Sequence, residues 1–129
     1  MNTDHAVSGL INAADPDAAL TECGETLAVV RKKVLLRILA CHDAERAGIR
    51  LTEADIATAS ANFRRSFGLE SEDEFTAWLL KRKLSRKAFA KAMHDFTLVC
   101  ALEKAYAPQI DALVHEQIAV STARLRSVE

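Results

Sequence analysis

Apolar residues recur at three- and four-residue steps along most of this chain, the spacing of one face of an α-helix. The clearest run extends from Leu27 to Ala47 and stops at Gly48, a residue type that commonly ends helices. An earlier start is indicated by Asp15 followed by Pro16, an N-cap residue with a proline at the first helical position. We therefore predict a single helical domain over residues 15–129, preceded by a flexible arm over residues 1–14.

Three further helix starts are marked by hydroxyl residues. Thr52 begins a near capping box with Asp55 in place of glutamate, and Ser71 begins a full box with Glu74. Ser85 is the third N-cap, and the helix after it is expected to run from Arg86 to about Ala107. Pro108 must kink or end that helix, so a last helix is expected from Gln109 to about Arg126. Gly24 weakens the first segment, which leaves Thr21 as an alternative start. The prediction is an all-α fold, a bundle of about five helices.

The composition agrees with this fold and narrows the function. Half of the 129 residues are hydrophobic, only 5% are aromatic, and there are four glycines and two prolines. The net charge of −1 argues against nucleic acid as a partner. Three widely spaced cysteines, Cys23, Cys41 and Cys100, favour free thiols in the reduced cytoplasm. We expect no signal peptide, no membrane span and no cofactor.

The order of these elements is similar to a known family. The residues that carry the similarity are Val34–Leu39, Ala47–Ile56, Phe63–Leu69, Glu74–Leu79 and Leu84–Phe89. They resemble the helical N-terminal domain of SurA-type and parvulin-type peptidyl-prolyl isomerase chaperones, over about residues 27–118. The resemblance implies a SurA-like helical bundle that binds an extended or helical peptide. The sequence holds no isomerase domain, so prolyl isomerisation is not implied.

The resemblance therefore suggests a chaperone-like accessory module that binds a peptide or protein segment, in the cytoplasm, during maturation of a modified peptide. Homodimerisation is expected as well, because the first long helix and the last helix carry more apolar surface than one thin layer can cover. The alternatives are a small helical enzyme that cross-links or cyclises a bound peptide, and a DNA-binding regulator. The helix after Gly68 is too short, aromatic and acidic for a recognition helix.

Aromatic and basic residues concentrate in the same half of the chain and suggest a peptide groove. Its apolar lining would be Phe67, Trp78, Phe89, Met93 and Phe96, and its rim Arg64, Arg82 and Arg86. The competing interpretation is that the aromatic stripe is core, with Trp78 partly exposed, and that the arginines form a solvated surface balanced by nearby glutamates.

No decisive catalytic motif is present, and this favours a binding module over an enzyme. The candidates for acid–base chemistry are His94, Glu103 and His42. Adjacent residues of a helix point about 100° apart, so we expect His94 and Asp95 not to face each other. The spacing of Cys41, His42 and Glu45 offers too few ligands for zinc, and no metal site is predicted.

Overall fold

The computed structural model describes residues 16–128, and within them the chain is all-helical, as predicted, with no strand. The predicted arm over residues 1–14 lies outside the described residues. No described helix is long and apolar enough to cross a membrane. The six helices are α1 (Pro16–Cys23), α2 (Leu27–Ala47), α3 (Glu53–Ser66), α4 (Glu72–Lys81), α5 (Arg86–Ala105) and α6 (Ala107–Val128).

The three predicted hydroxyl caps are present. The Thr52 hydroxyl accepts a hydrogen bond from the Asp55 N–H at 3.0 Å, and the Asp55 carboxylate accepts one from the Thr52 N–H at 2.9 Å. Aspartate therefore completes the capping box that usually contains glutamate. Ser71 accepts from the Glu74 N–H at 3.2 Å and Ser85 accepts from the Ala88 N–H at 3.0 Å. These bonds fix where α3, α4 and α5 begin.

The sixth helix arises from a break near the N-terminus. Gly24 adopts a positive φ of 73°, which an L side chain rarely adopts, and α1 ends before it. The next helix begins after Thr26, whose hydroxyl accepts a hydrogen bond from the Val29 N–H at 3.3 Å. Thr21, the alternative start, lies inside α1.

Pro108 stands in the first turn of α6 and not at a kink within one long helix. The fourth predicted helix ends at Ala105, and the N–H of Tyr106 bonds to the Leu102 carbonyl at 2.8 Å. Proline is tolerated at position 108 because the first N–H groups of a helix have no partner within that helix. Tyr106 is thus the single residue between α5 and α6.

The chain divides into two compact units, and the boundary follows Leu36, inside α2. In the first unit, Gly24 turns the chain between α1 and α2, and Lys33 pairs with Glu25. The first half of α2 carries several large apolar side chains that are at least two-fifths exposed. They are Leu27, Val29, Val34, Leu35 and Leu36.

The second unit contains an aromatic core formed by α3, α4, α5 and the turn before α4. Phe75 and Phe89 meet edge to face with their ring centroids 4.9 Å apart. Partly buried residues of α3, including Ile56 and Phe63, cover this core. Its buried members are Leu69, Phe75, Leu79, Phe89 and Met93.

A second core joins the last half of α2 to α5. Ala40 and Ala44 are buried against Leu98. Their small side chains let the two helices approach closely. The Tyr106 hydroxyl donates a hydrogen bond to Asp43 at 2.9 Å and closes one end of this contact.

The last helix, α6, is different, since each side chain from Pro108 to Ala123 is exposed. Its large apolar residues include Ile118, which is 59% exposed, and Leu125, which is 69% exposed.

Candidate functional site

Asp95 is the one buried charged residue among those the structure describes. It lies on α5, one turn before Leu98, and its side chain is 4% exposed. Burying an ionised carboxylate is costly unless charges and hydrogen bonds compensate for the lost water. The groups around Asp95 must therefore compensate its charge, and they form the candidate site.

Two cations compensate this carboxylate. Arg37, from α2, donates to Asp95 Oδ2 through Nε at 3.2 Å and through a terminal nitrogen at 3.0 Å. Lys91, one turn earlier on α5, donates to Oδ1 at 2.7 Å and to Oδ2 at 2.9 Å. The Arg37 guanidinium also lies 5.3 Å from the centre of the Phe96 ring. The group ties α2 to α5 beside their alanine contact.

A histidine and a cysteine complete the cluster. His94 Nδ1 lies 3.0 Å from Asp95 Oδ1, and the Cys41 thiol donates to the same oxygen at 3.4 Å. The expectation that His94 and Asp95 would not face each other is wrong, because the 3.0 Å distance between them is that of a hydrogen bond. Asp95 Oδ1 thus contacts three different side chains.

Protonation equilibria reflect this arrangement. Burial raises the pKa of Asp95, but hydrogen bonds from Lys91, His94, Cys41 and Arg37 outweigh it and hold the pKa well below its ordinary value. Burial, followed by the hydrogen bond to Asp95, raises the pKa of the Cys41 thiol. A thiol held protonated is a poor nucleophile, since the thiolate is the reactive form.

Cys41, His94 and Asp95 are three possible metal donors, with ligand atoms within 4.8 Å of one another. Arg37 and Lys91 already neutralise the single carboxylate, and their positive charges oppose a metal cation at this position. Three donors with a protonated thiol also fall short of a closed zinc site. The arrangement is that of a charge-compensated tie between helices.

The predicted catalytic residues do not come together. His94 is half-buried, whereas His42 on α2 and Glu103 on α5 are exposed. Within residues 16–128 the structure records no hydrogen bond or ion pair between any two of them. His94 pairs with the Asp95 carboxylate, and the Cys41 thiol beside them is held protonated, which makes it a poor nucleophile.

The predicted peptide-binding residues separate into two groups. Phe89 and Met93 lie in the aromatic core, where no more than 5% of either residue is exposed. Phe67 is 66% exposed and Phe96 is 45% exposed, and Trp78 is partly exposed, as expected. Phe89 and Met93 are therefore core residues, as the competing interpretation expected. The more exposed Phe67, Trp78 and Phe96 remain available to a ligand.

Two rim arginines are engaged in the fold. Arg64 donates to the Leu69 carbonyl at 2.9 Å and lies 4.2 Å from the centre of the Phe75 ring. Arg86 pairs with Glu72 and donates to the Thr76 hydroxyl at 3.0 Å. They hold the start of α4 against its neighbours. Arg82 is the C-cap of α4, at the opposite end of that helix.

Three rings at the edge of the core form what we call the aromatic patch: Phe63, Phe67 and Trp78. The centroid of Phe63 lies 4.8 Å from that of Phe67 and 5.9 Å from that of Trp78. Phe63 is half-buried, so it joins the exposed Phe67 to the core below. Lys81, the last residue of α4, follows Trp78 by three residues, and the C-cap Arg82 follows it by four. Both therefore lie on the same side of the helix as Trp78.

The Asp95 cluster was missed as a unit, although the sequence carried a signal for it. Arg37 is the single charge within the apolar run Val34–Leu39, and Asp95 shares one side of α5 with Leu98 and Leu102. A lone cation and a lone anion within two apolar stripes are typical of a buried pair.

The fold and these sites define an all-helical protein with a charge-compensated tie and an exposed aromatic patch. No family model, curated protein or solved structure matches the chain.

Proposed function

We propose that the chain is a chaperone-like accessory module that binds an apolar peptide segment flanked by acidic residues, in the maturation of a modified peptide in the cytoplasm. The observation that carries this proposal is the aromatic patch. Phe67 keeps two-thirds of its surface exposed while its ring makes a tilted contact with the ring of Phe63, which packs against the core. The similarity of the helix order to the SurA-type N-terminal domain supports the same function.

The chemistry of the patch selects the ligand. Apolar side chains of a peptide would cover Phe67 and Trp78, with a gain of about 25 cal/mol per Å² of apolar surface, less the cost of ordering the peptide. Lys81, three residues after Trp78, favours acidic neighbours in that peptide, which also steer its approach.

Binding explains the molecule better than the alternatives do. An enzyme would need an activated nucleophile beside His94, Glu103 or His42. The thiol beside His94 is that of Cys41, and its raised pKa keeps it protonated. A DNA reader would need a basic helix free to enter the major groove. The helix after Gly68 instead begins with Glu72, Asp73 and Glu74, and its far side is core.

The proposal is tested with two short fluorescein-labelled peptides, measured by fluorescence anisotropy. One contains leucine and phenylalanine with aspartate and glutamate, and the other has lysine in place of each acidic residue. We expect the acidic peptide to bind at least about tenfold more tightly. Phe67→Ala is expected to weaken its binding about tenfold, because an exposed ring at the centre of a contact is the common form of a hot spot.

Leu80→Ala is the matched control. Leu80 is 74% exposed on α4, as exposed as Phe67, but it stands two residues from Trp78 and faces a different direction. We expect its affinity to equal that of the wild type. Trp78→Ala serves as a second variant, with its fold checked by circular dichroism. An unchanged affinity in folded Phe67→Ala, or no binding of the acidic peptide at about 1 mM, would overturn the proposal.

A further inference from the structure

One side of α6 carries an apolar stripe at four-, four-, three- and four-residue steps. Its members are Ile110, Val114, Ile118, Ser121 and Leu125. Such steps are those of a helix that packs against another helix along its length. The four apolar members of this stripe are 39% to 69% exposed.

A surface depression of about 300 Å³ lies in the middle of the stripe. The small Ser121 side chain lines it together with the larger residues Val114, Gln117, Ile118, Thr122 and Leu125. A depression between large side chains is the hole that an apolar side chain of a facing helix fills.

We propose that α6 is the dimerisation surface of the protein and pairs antiparallel with α6 of a second copy. In this register Ile118 of each copy enters the depression over Ser121 of the other. Val114 then lies against Leu125 of the second copy, and this contact occurs twice because the pair is two-fold symmetric.

Three observations select a second copy in antiparallel orientation. The stripe pairs large with small residues only when the helices run in opposite directions, because a parallel pair would set Ser121 against Ser121. The sequence of α6 places the acidic Asp111 and Glu116 before the basic Arg124 and Arg126, so antiparallel helices bring halves of opposite charge together. Antiparallel helix dipoles also attract each other.

The extent of the surface sets the expected strength. The helix has 22 residues and is about 33 Å long, so the pair lies near the lower end of specific interfaces. We expect a dissociation constant on the order of 1 μM. The inference is independent of the peptide-binding proposal, because no residue of the aromatic patch takes part in it.

Sedimentation equilibrium of the full chain, from about 1 μM to about 1 mM, is the test. The wild type is expected to reach twice its monomer mass of 14.1 kDa. Ile118→Glu is expected to raise the dissociation constant at least about a hundredfold, because it places a charge in the depression. The matched control Leu80→Glu changes a residue of α4 that is 74% exposed, compared with 59% for Ile118, and is expected to dimerise like the wild type.

Ser121→Ile tests the register. In the antiparallel pair the new side chain meets Ile118 of the other copy, so dimerisation is expected to weaken about tenfold. The double variant Ile118→Ser with Ser121→Ile restores one large and one small residue at each contact and is expected to recover most of the affinity. A wild-type monomer throughout the range, a dimer of Ile118→Glu as tight as the wild type, or tighter association of Ser121→Ile would overturn the inference.

Discussion

The aromatic core and α6 differ in burial although the same hydrophobic periodicity runs through both. On α5, Phe89 and Met93 are 5% and 4% exposed, whereas on α6 Ile118 and Leu125 are 59% and 69% exposed. A stripe of this kind indicates that one side of a helix will be covered. The stripe does not indicate whether the same chain or a second molecule provides that cover.

The connections explain the difference. Turns of several residues, each leading into a capped start, separate α3, α4 and α5, and such loops let successive helices fold back on one another. Only Tyr106 separates α5 from α6. One residue is too short a loop for an antiparallel return, so α6 does not fold back along α5 and its side chains from Pro108 to Ala123 stay exposed.

The largest expected effect is the difference in stability lost when a large side chain is removed from the aromatic core and from α6. Phe89→Ala empties the centre of the aromatic core and is expected to lower the free energy of unfolding by about 3–5 kcal/mol. Ile118→Ala removes an exposed side chain and should change it by less than about 0.5 kcal/mol in dilute, monomeric protein. Urea unfolding followed by circular dichroism measures both. Similar losses in the two variants would show that α6 is covered by its own chain.

An effect of intermediate size is expected from Asp95, whose contribution to stability depends on pH. The folded-state pKa of Asp95 is held below its unfolded value of about 3.9, so its stabilising contribution is present above that pH and is lost as the pH falls below it. Asp95→Asn is expected to cost about 2 kcal/mol at pH 7, less than for a fully buried pair because Arg37 and Lys91 are partly exposed.

The same variant should also flatten the acid limb of the stability curve. Urea unfolding between about pH 7 and pH 3 gives this curve. The exposed Asp111→Asn on α6 is the matched control and should keep the wild-type slope. An acid slope in Asp95→Asn equal to that of the wild type would show that other carboxylates cause it.

The smallest expected effect concerns serine in the two regions. Ser85→Ala removes the hydroxyl that accepts the Ala88 N–H at the start of α5, and we expect a loss of about 1 kcal/mol. Ser121→Ala, on the exposed side of α6, should change stability by less than about 0.5 kcal/mol in the monomer. Thermal unfolding of the two variants compares them directly. Equal shifts would mean that the Ser85 cap contributes nothing measurable.

Much of the secondary structure could be predicted because its causes are local. A hydroxyl at Thr52, Ser71 or Ser85 satisfies an N–H three residues away, and Pro108 restricts the chain wherever the tertiary structure places it. The break between α1 and α2 was harder to predict, because Gly24 and Thr26 produce it together. A glycine at position 24 indicates a break but does not indicate whether Thr21 or Thr26 begins the next helix. Dimerisation, peptide binding and the similarity to SurA-type chaperones stay predictions.

By itself, the sequence determined that this is an all-helical protein, where most of its helices begin and which residues were eligible for a core. Only the tertiary structure decided that Phe89 and Met93 are buried while Phe67 stays exposed, and that Arg37, Cys41 and His94 converge on Asp95. The Arg37 and Cys41 contacts join residues more than fifty positions apart in the chain, and the aromatic core joins residues of three helices. Helix periodicity and capping act within a few residues, and burial is settled only when distant helices meet.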